Sequence, residues 1–404
     1  MAVNNIPSDI ILTMNQAAQE AKKAGRDVLN GTIGMMFLDD GVLPVSSSMR
    51  KILSKHTEDE DLSYPSVSGP KEFLDSSVNW FFGDRLNERL KDAEAKCLGT
   101  MGGTGAVSAS VRSSSSGQKA LVLIPSYCWP NYPAICDGYN VEHKDYSLFA
   151  EDGSFGLDSI KSLIISAKND GYESVSIIVN DPCHNPTGFS MSEGEWNSLS
   201  RILNEESKDI KISLIVDCAY IDFAPEESKN HIISAIKSLN ASICVYLCMS
   251  FSKTFSFYGL RIGLLIVTSS SEELVASRHK LCIKAARASW SVPNHMAMDA
   301  IADALGREDT FKELKSEVAA NREILVKRAN IFIAEAKKAG LDYLPYKSGF
   351  FVTILCDDAL KTCKLLQDQD IFLAPVALDC LRVALSCMPT NKIYGLALNI
   401  KKAL

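Results

Sequence analysis

The chain has 404 residues, 46% hydrophobic and 23% charged, the balance of an ordinary folded protein long enough for two domains. A formal net charge of −7 argues against a nucleic-acid binder, for which a basic face is expected. No apolar run approaches the roughly 18–20 residues of a membrane span, the six histidines lack metal-ligand spacing, and the twelve cysteines form no Cys-x-x-Cys pair.

A first helix is expected over 8–24, with Ser8 as N-cap and Gly25 as stop. Ile10, Ile11, Met14, Ala17, Ala18 and Ala21 would share its apolar face. The N-terminus has no charged segment leading into an apolar core, so no secretory leader is expected. Free thiols in apolar runs (Cys218, Cys244, Cys248, Cys356) then fit a reducing cytoplasm. A glycine-rich irregular stretch follows at 30–44.

From residue 120 onward, strands at 120–125, 175–180, 212–217, 243–249 and 263–268 are interleaved with helices at 158–169, 192–206 and 229–238. Their continuous Val/Ile/Leu runs imply strands buried on both faces, hence a mostly parallel sheet covered by helices. Residues 272–303 and 308–339 read as helical, interrupted near Pro293. A strand at 350–355, a helix at 357–367, short strands near 371–374 and 381–385 and a final helix from about 390 complete the chain. The expectation is a large α/β domain over 45–305 and a small α+β domain built from 1–44 and 306–404.

The most informative stretch is 250–263, S-F-S-K-T-F-S-F-Y-G-L-R-I-G, between two apolar runs. Lys253 there is an amine at the end of a buried strand. Desolvation lowers its pKa and favours the neutral, nucleophilic form. Such a lysine can form a Schiff base with an aldehyde. Ser250, Ser252 and Arg261 supply the donors and the positive charge that a phosphate needs. An aldehyde with a phosphate tail is pyridoxal 5'-phosphate (PLP).

Other strand ends add to this. Gly102, Gly103, Thr104 and Gly105 lead into a helix and offer backbone N–H groups to a phosphate, though alone they also read as an ordinary glycine turn. Trp129 offers a flat face to a pyridine ring, or is a core tryptophan. Asn185, in N-D-P-C-H-N-P-T-G, offers an amide. Asp217, in V-D-C-A-Y, is costly at a buried strand end unless paired, as by a protonated pyridine nitrogen; the other reading is a cap for the next element. Tyr220 lies three residues further on.

The order and spacing of these motifs resemble the fold-type I PLP-dependent aminotransferases, in the aspartate/aromatic subgroup. The resemblance extends over N-G-T-I-G-M-M-F-L-D-D-G-V-L-P-V at 30–45, Y-P-S-V-S-G-P-K-E-F at 64–73, G-G-T-G-A, S-Y-C-W-P-N, C-H-N-P-T-G, D-C-A-Y and the lysine motif. It implies that Lys253 holds the cofactor and shuttles a proton. It implies that Asp217 pairs with the pyridine nitrogen, Asn185 and Tyr220 contact the ring hydroxyl oxygen, and Trp129 stacks on the ring. Gly103, Thr104, Ser250, Ser252 and Arg261 would form the phosphate cup. Tyr64 would reach the phosphate of a neighbouring subunit, implying a homodimer with shared sites. Arg382 would grip the substrate α-carboxylate near Gly34, and Arg287 would hold a side-chain carboxylate in the partner's site. On the residues alone, Arg287 also fits a solvated basic helix face with Lys280 and Lys284.

Four departures surround this pattern: Tyr132 where the resemblance implies a histidine behind the aspartate, so that a different tuning of Asp217 is expected, Val292-Pro293-Asn294 where Asn-Pro-Pro is usual, Met35 and Met36 in the substrate-covering segment, and Leu381 where glycine is common. The expected activity is transfer of an amino group between an L-amino acid, glutamate or aspartate in one half-reaction, and a 2-oxo acid. A PLP-dependent lyase or decarboxylase on the same fold is the alternative, and a non-catalytic PLP-binding regulator a further one. No metal is expected.

Overall fold

The computed structural model describes residues 10–83, 90, 93–117 and 119–404. The expected N-cap Ser8 lies outside the described residues, and the first helix runs Ile10–Lys23.

Two sheets organise the chain. The larger is built from β2 (Glu94–Met101), β3 (Ala120–Pro125), β4 (Glu142–Tyr146), β5 (Ser174–Asn180), β6 (Lys211–Asp217), β7 (Cys244–Ser250) and β8 (Ile262–Ser269). Its order is β2-β8-β7-β6-β5-β3-β4. Neighbours from β7 to β4 are parallel, while β8 runs antiparallel to both β7 and β2. The predicted strands fall within a residue or so of these bounds.

Period-two geometry explains the unbroken apolar runs. Leu121, Leu123, Ile177, Val179, Leu214 and Val216 enter the core on one face. Val122, Ile124, Ile178 and Ile215 enter a second core on the other, beneath the helices Gly102–Ser114 and Glu272–Ser289. Each large aliphatic side chain buried this way contributes about 1.5–3 kcal/mol relative to exposure.

The smaller sheet contains β1 (Leu29–Gly31), β9 (Phe351–Leu355), β10 (Ile371–Ala377) and β11 (Cys380–Ala384), in the order β1-β10-β11-β9. Its core includes Phe332, Phe350, Val352, Leu373 and Leu396. The 32-residue helix Glu308–Ala339 serves both cores: Leu314 and Val318 join the large one, Leu325, Phe332 and Ala336 the small one. It stops at Gly340, whose φ of 64° is the left-handed conformation that glycine takes at no steric cost.

The break near Pro293 is real. One helix ends at Ser289, and His295–Gly306 restarts behind Asn294, whose side chain accepts from the Ala297 N–H. The chain's end differs from expectation. A short 3-10 turn at Thr390–Lys392 is separated from the helix Leu396–Ala403 by Gly395, with φ 80°.

Candidate active site

Because β3, β5, β6 and β7 are adjacent and parallel, their C-terminal ends share one edge. That edge is where open α/β sheets bind ligands. A cleft with about 600 Å³ of empty space lies there, lined by Gly103, Thr104, Trp129, Asn185, Asp217, Tyr220, Ser250, Ser252, Lys253 and Arg261. Residues from five separated segments of sequence thus meet in one cavity.

Lys253 sits in the helical turn Phe251–Thr254 that leaves β7. Its Nζ donates to the Gly34 carbonyl at 2.7 Å. Burial pushes its pKa down to about 7, Arg382 and Arg261 add repulsion, and Asp217 opposes them. The amine is therefore substantially neutral near neutral pH. The Tyr258 and Tyr220 rings flank it, with centroids 4.9 and 5.4 Å from Nζ.

Asp217 ends β6 and is buried. One carboxylate oxygen accepts from the Tyr132 hydroxyl at 2.6 Å, the other from the Ala219 N–H at 3.1 Å. Burial raises its pKa, and the Tyr132 hydrogen bond opposes that rise. No cation bonds this carboxylate among the described residues. It lines an open cleft in want of one, which suits a pyridinium.

The opposite end of the cleft is built for an anion. Gly103 and Thr104 lie in the first turn of Gly102–Ser114, whose N-terminus has no side-chain cap. Arg261 donates to Ser252 Oγ and to the Tyr258 carbonyl, both at 3.0 Å. Gly102, at φ 68°, holds a backbone conformation that other residues rarely adopt, and a Cβ there would stand 2.6 Å from the Arg261 guanidinium and displace it. Backbone and arginine can therefore close on one ligand from two sides.

Arg382, on β11, donates to Asn185 Oδ1 at 3.0 Å and to the Thr32 carbonyl at 2.6 Å. Its guanidinium lies 4.3 Å from the Phe351 ring centroid. Burial lowers its pKa to about 10, and its Nε has no acceptor among the described residues. An orphaned buried donor beside the cleft suits a ligand carboxylate. Gly34 belongs here by close approach, since a Cβ would meet Phe351 Cζ at 2.6 Å.

Two expected residues lie apart. Tyr64 is 90% exposed, and Arg287, in the last turn of Glu272–Ser289, is exposed as well. Neither lines this chain's cleft.

Asn180, Ala219 and Tyr258 also line the cleft; each lies inside one of the motifs, but without a role expected from the sequence. Asn180 links the site internally: its Nδ2 donates to the Asp217 carbonyl at 2.9 Å and its Oδ1 accepts from the Asn185 N–H at 2.7 Å. Tyr258 Oη accepts from the Met36 N–H at 2.7 Å and so ties the N-terminal segment to the lysine loop. Its place within the lysine stretch 250–263 was the signal that could have found it.

Comparison with known proteins gives the family. A profile of "Aminotransferase class I and II" matches residues 26–399. Aspartate aminotransferase of Escherichia coli K12 is 24% identical over 342 residues, covering 83% of this chain and 82% of that protein. The aromatic-amino-acid aminotransferase of the same bacterium is 26% identical over 362 residues, covering 86% and 87%. An aminotransferase structure from Anaerococcus prevotii superposes with a TM-score of 0.91 at 29% identity, covering 99% and 97%. The Burkholderia pseudomallei aromatic-amino-acid aminotransferase, covalently bound to pyridoxal phosphate, matches in fold with a TM-score of 0.79 at 22% identity, covering 100% and 98%. This chain belongs to the class I and II aminotransferases, of fold-type I, and is a PLP-dependent aminotransferase.

Proposed function

We propose that the cleft at the ends of β3, β5, β6 and β7 is the PLP site. We propose further that glutamate or aspartate is the substrate of one half-reaction, with an aromatic or neutral amino acid in the other. The observation that carries the PLP site is the meeting of a part-buried, desolvated amine, Lys253, a buried carboxylate, Asp217, and an uncapped helix N-terminus beside Arg261 in one cavity.

PLP, when bound, supplies an aldehyde that takes up an amino group and a ring that accepts negative charge. The rest falls to the chain. Gly103, Thr104, Ser250, Ser252 and Arg261 hold the phosphate. Asp217 would pair with the ring nitrogen, Trp129 would stack on the ring, and Asn185 with Tyr220 would hold the ring oxygen. Lys253 Nζ would carry the proton lost from the substrate Cα to the cofactor's C4' carbon. Arg382 grips the α-carboxylate near Gly34. Phe350 and Phe351 help exclude water there.

The exposure of Tyr64 and Arg287 supports a homodimer in which each completes the partner's site. The separate cores support a division into 45–305 and 1–44 with 306–404, the helix Glu308–Ala339 bridging them. Twelve free cysteines fit a cytoplasmic enzyme. Among the described residues no helix is long and apolar enough to cross a membrane.

The substrate reading is tested by adding amino acids to the holoenzyme and following the cofactor's visible absorption. Losing one partner of a buried charge pair costs roughly 2–5 kcal/mol. Arg287→Ala should therefore lower kcat/KM for glutamate or aspartate by about 30- to several thousand-fold. Phenylalanine and alanine should change much less, and Arg382→Ala should depress all substrates alike. A wild-type enzyme that ignores both dicarboxylates while converting neutral amino acids overturns this reading.

A further inference from the structure

We propose that Tyr132 is a positioning residue for the transamination, orienting Asp217 and holding its negative charge toward the cofactor's ring nitrogen. This rests on the reading that Asp217 faces that nitrogen.

Tyr132 lies in the helix Asn131–Gly138 that follows β3 and is fully buried. Its hydroxyl donates to Asp217 at 2.6 Å, a short bond of the kind made to a charged acceptor. Its ring meets Trp129 edge-on, with centroids 5.6 Å apart at 87°. One side chain thus fixes both the carboxylate and the aromatic plate of the cleft. With the Ala219 N–H on the second oxygen, the carboxylate has little freedom to rotate.

The identity of the donor matters. Burial and the adjacent Asp217 hold the phenol well above its ordinary pKa, so it stays a neutral donor across the working pH range. The other titratable groups near Asp217 are Lys253 across the cleft, Tyr220, the thiol of Cys218 just after β6, the thiol of Cys248 on β7, and Asp181, whose backbone N–H donates to the Asp217 carbonyl at 3.2 Å. Burial raises the pKa of Tyr220, Cys218 and Cys248, so all three remain neutral too. Near neutral pH two of these groups change charge: burial lowers Lys253 to about 7 and raises Asp181 to about 7, but the Asp181 carboxylate is engaged by the Met191 N–H and the Trp196 indole N–H.

A hydroxyl donated to one face of a carboxylate makes it less basic. A proton shared with the ring nitrogen then resides on nitrogen, where the ring is the better electron acceptor. Without the hydroxyl the carboxylate is more basic and draws that proton toward itself.

The test is the nitrogen-15 spectrum of holoenzyme carrying ring-labelled PLP, in wild type, Tyr132→Phe and Asp217→Asn. Phe keeps the edge contact with Trp129 and removes only the donor. The wild-type signal should stay on the protonated side from about pH 6 to 9. Tyr132→Phe should move it toward unprotonated pyridine and lower kcat about 10- to 100-fold, as expected for losing a hydrogen bond to a charged group. A Tyr132→Phe signal identical to wild type, with Asp217→Asn shifted, overturns the role of Tyr132 alone. An unshifted Asp217→Asn signal instead removes the placement of Asp217 on which the proposal rests. Should Tyr132→Phe fail to fold, the wild-type titration decides: an unprotonated signal anywhere in that range overturns the proposal.

Discussion

Lys253 is the residue on which the chemistry of the cleft turns. Its chemistry follows from burial at a strand end, which lowers the amine's pKa to about 7 from the ordinary 10.5. Capture of PLP by the apoenzyme needs the neutral amine, so its rate should rise through about pH 7 and level off above pH 8. Stopped-flow absorbance reads this directly, and a midpoint near 10 would contradict the buried environment. The same shift has a stability sign. Between pH 7 and 10.5 the unfolded chain holds a proton that the folded chain lacks. Apoenzyme stability should therefore fall as pH drops through that window, and level off below it. Lys253→Met should abolish that part of the slope in urea titrations.

Elements divide into those legible in sequence and those that are not. β3, β5, β6, β7 and β8 are unbroken apolar runs because both faces are covered, and a run of that kind has few other readings. β4, E-H-K-D-Y, is a sheet edge whose charged side chains face solvent, and β2, E-A-K-C-L-G-T-M, begins half-exposed. Neither carries an apolar run, and β1 has only three residues. The site was legible for a related reason. Parallel neighbouring strands put their C-terminal ends together, so motifs ordered along the chain become neighbours in space. What was not legible depends on distant partners: Tyr258 on Met36, and the buried Arg328 of Glu308–Ala339. Arg328 donates to the carbonyls of Phe37 and Ser386 and to Asp39, at 2.8–2.9 Å, pinning the segment that carries Gly34. Burial acts to raise the Asp39 pKa, but hydrogen bonds from Arg328 and Thr390 prevail and hold it at about 2. Arg328→Ala leaves several of these acceptors unpaired and should cost about 3 kcal/mol or more in urea unfolding. A loss below about 1 kcal/mol would mean the segment is held by other contacts.

For the whole molecule, the question is whether one chain suffices. Tyr64 and Arg287 lie on its surface, while Lys253 and Arg382 lie within it. If sites are shared, a Lys253→Ala chain mixed with an Arg287→Ala chain should assemble one intact site per heterodimer and regain glutamate activity. A Lys253→Ala chain mixed with Arg382→Ala should regain little, because both belong to the same subunit's site. Equal recovery from the two mixtures would count against sharing.

All of this depends on Lys253 being the residue that holds the cofactor. Reducing the holoenzyme with borohydride fixes PLP to its lysine, and peptide mass mapping then locates it. The modification should fall on Lys253 alone, with none in Lys253→Ala. Modification of another lysine in the wild type, or none at all, would contradict that role.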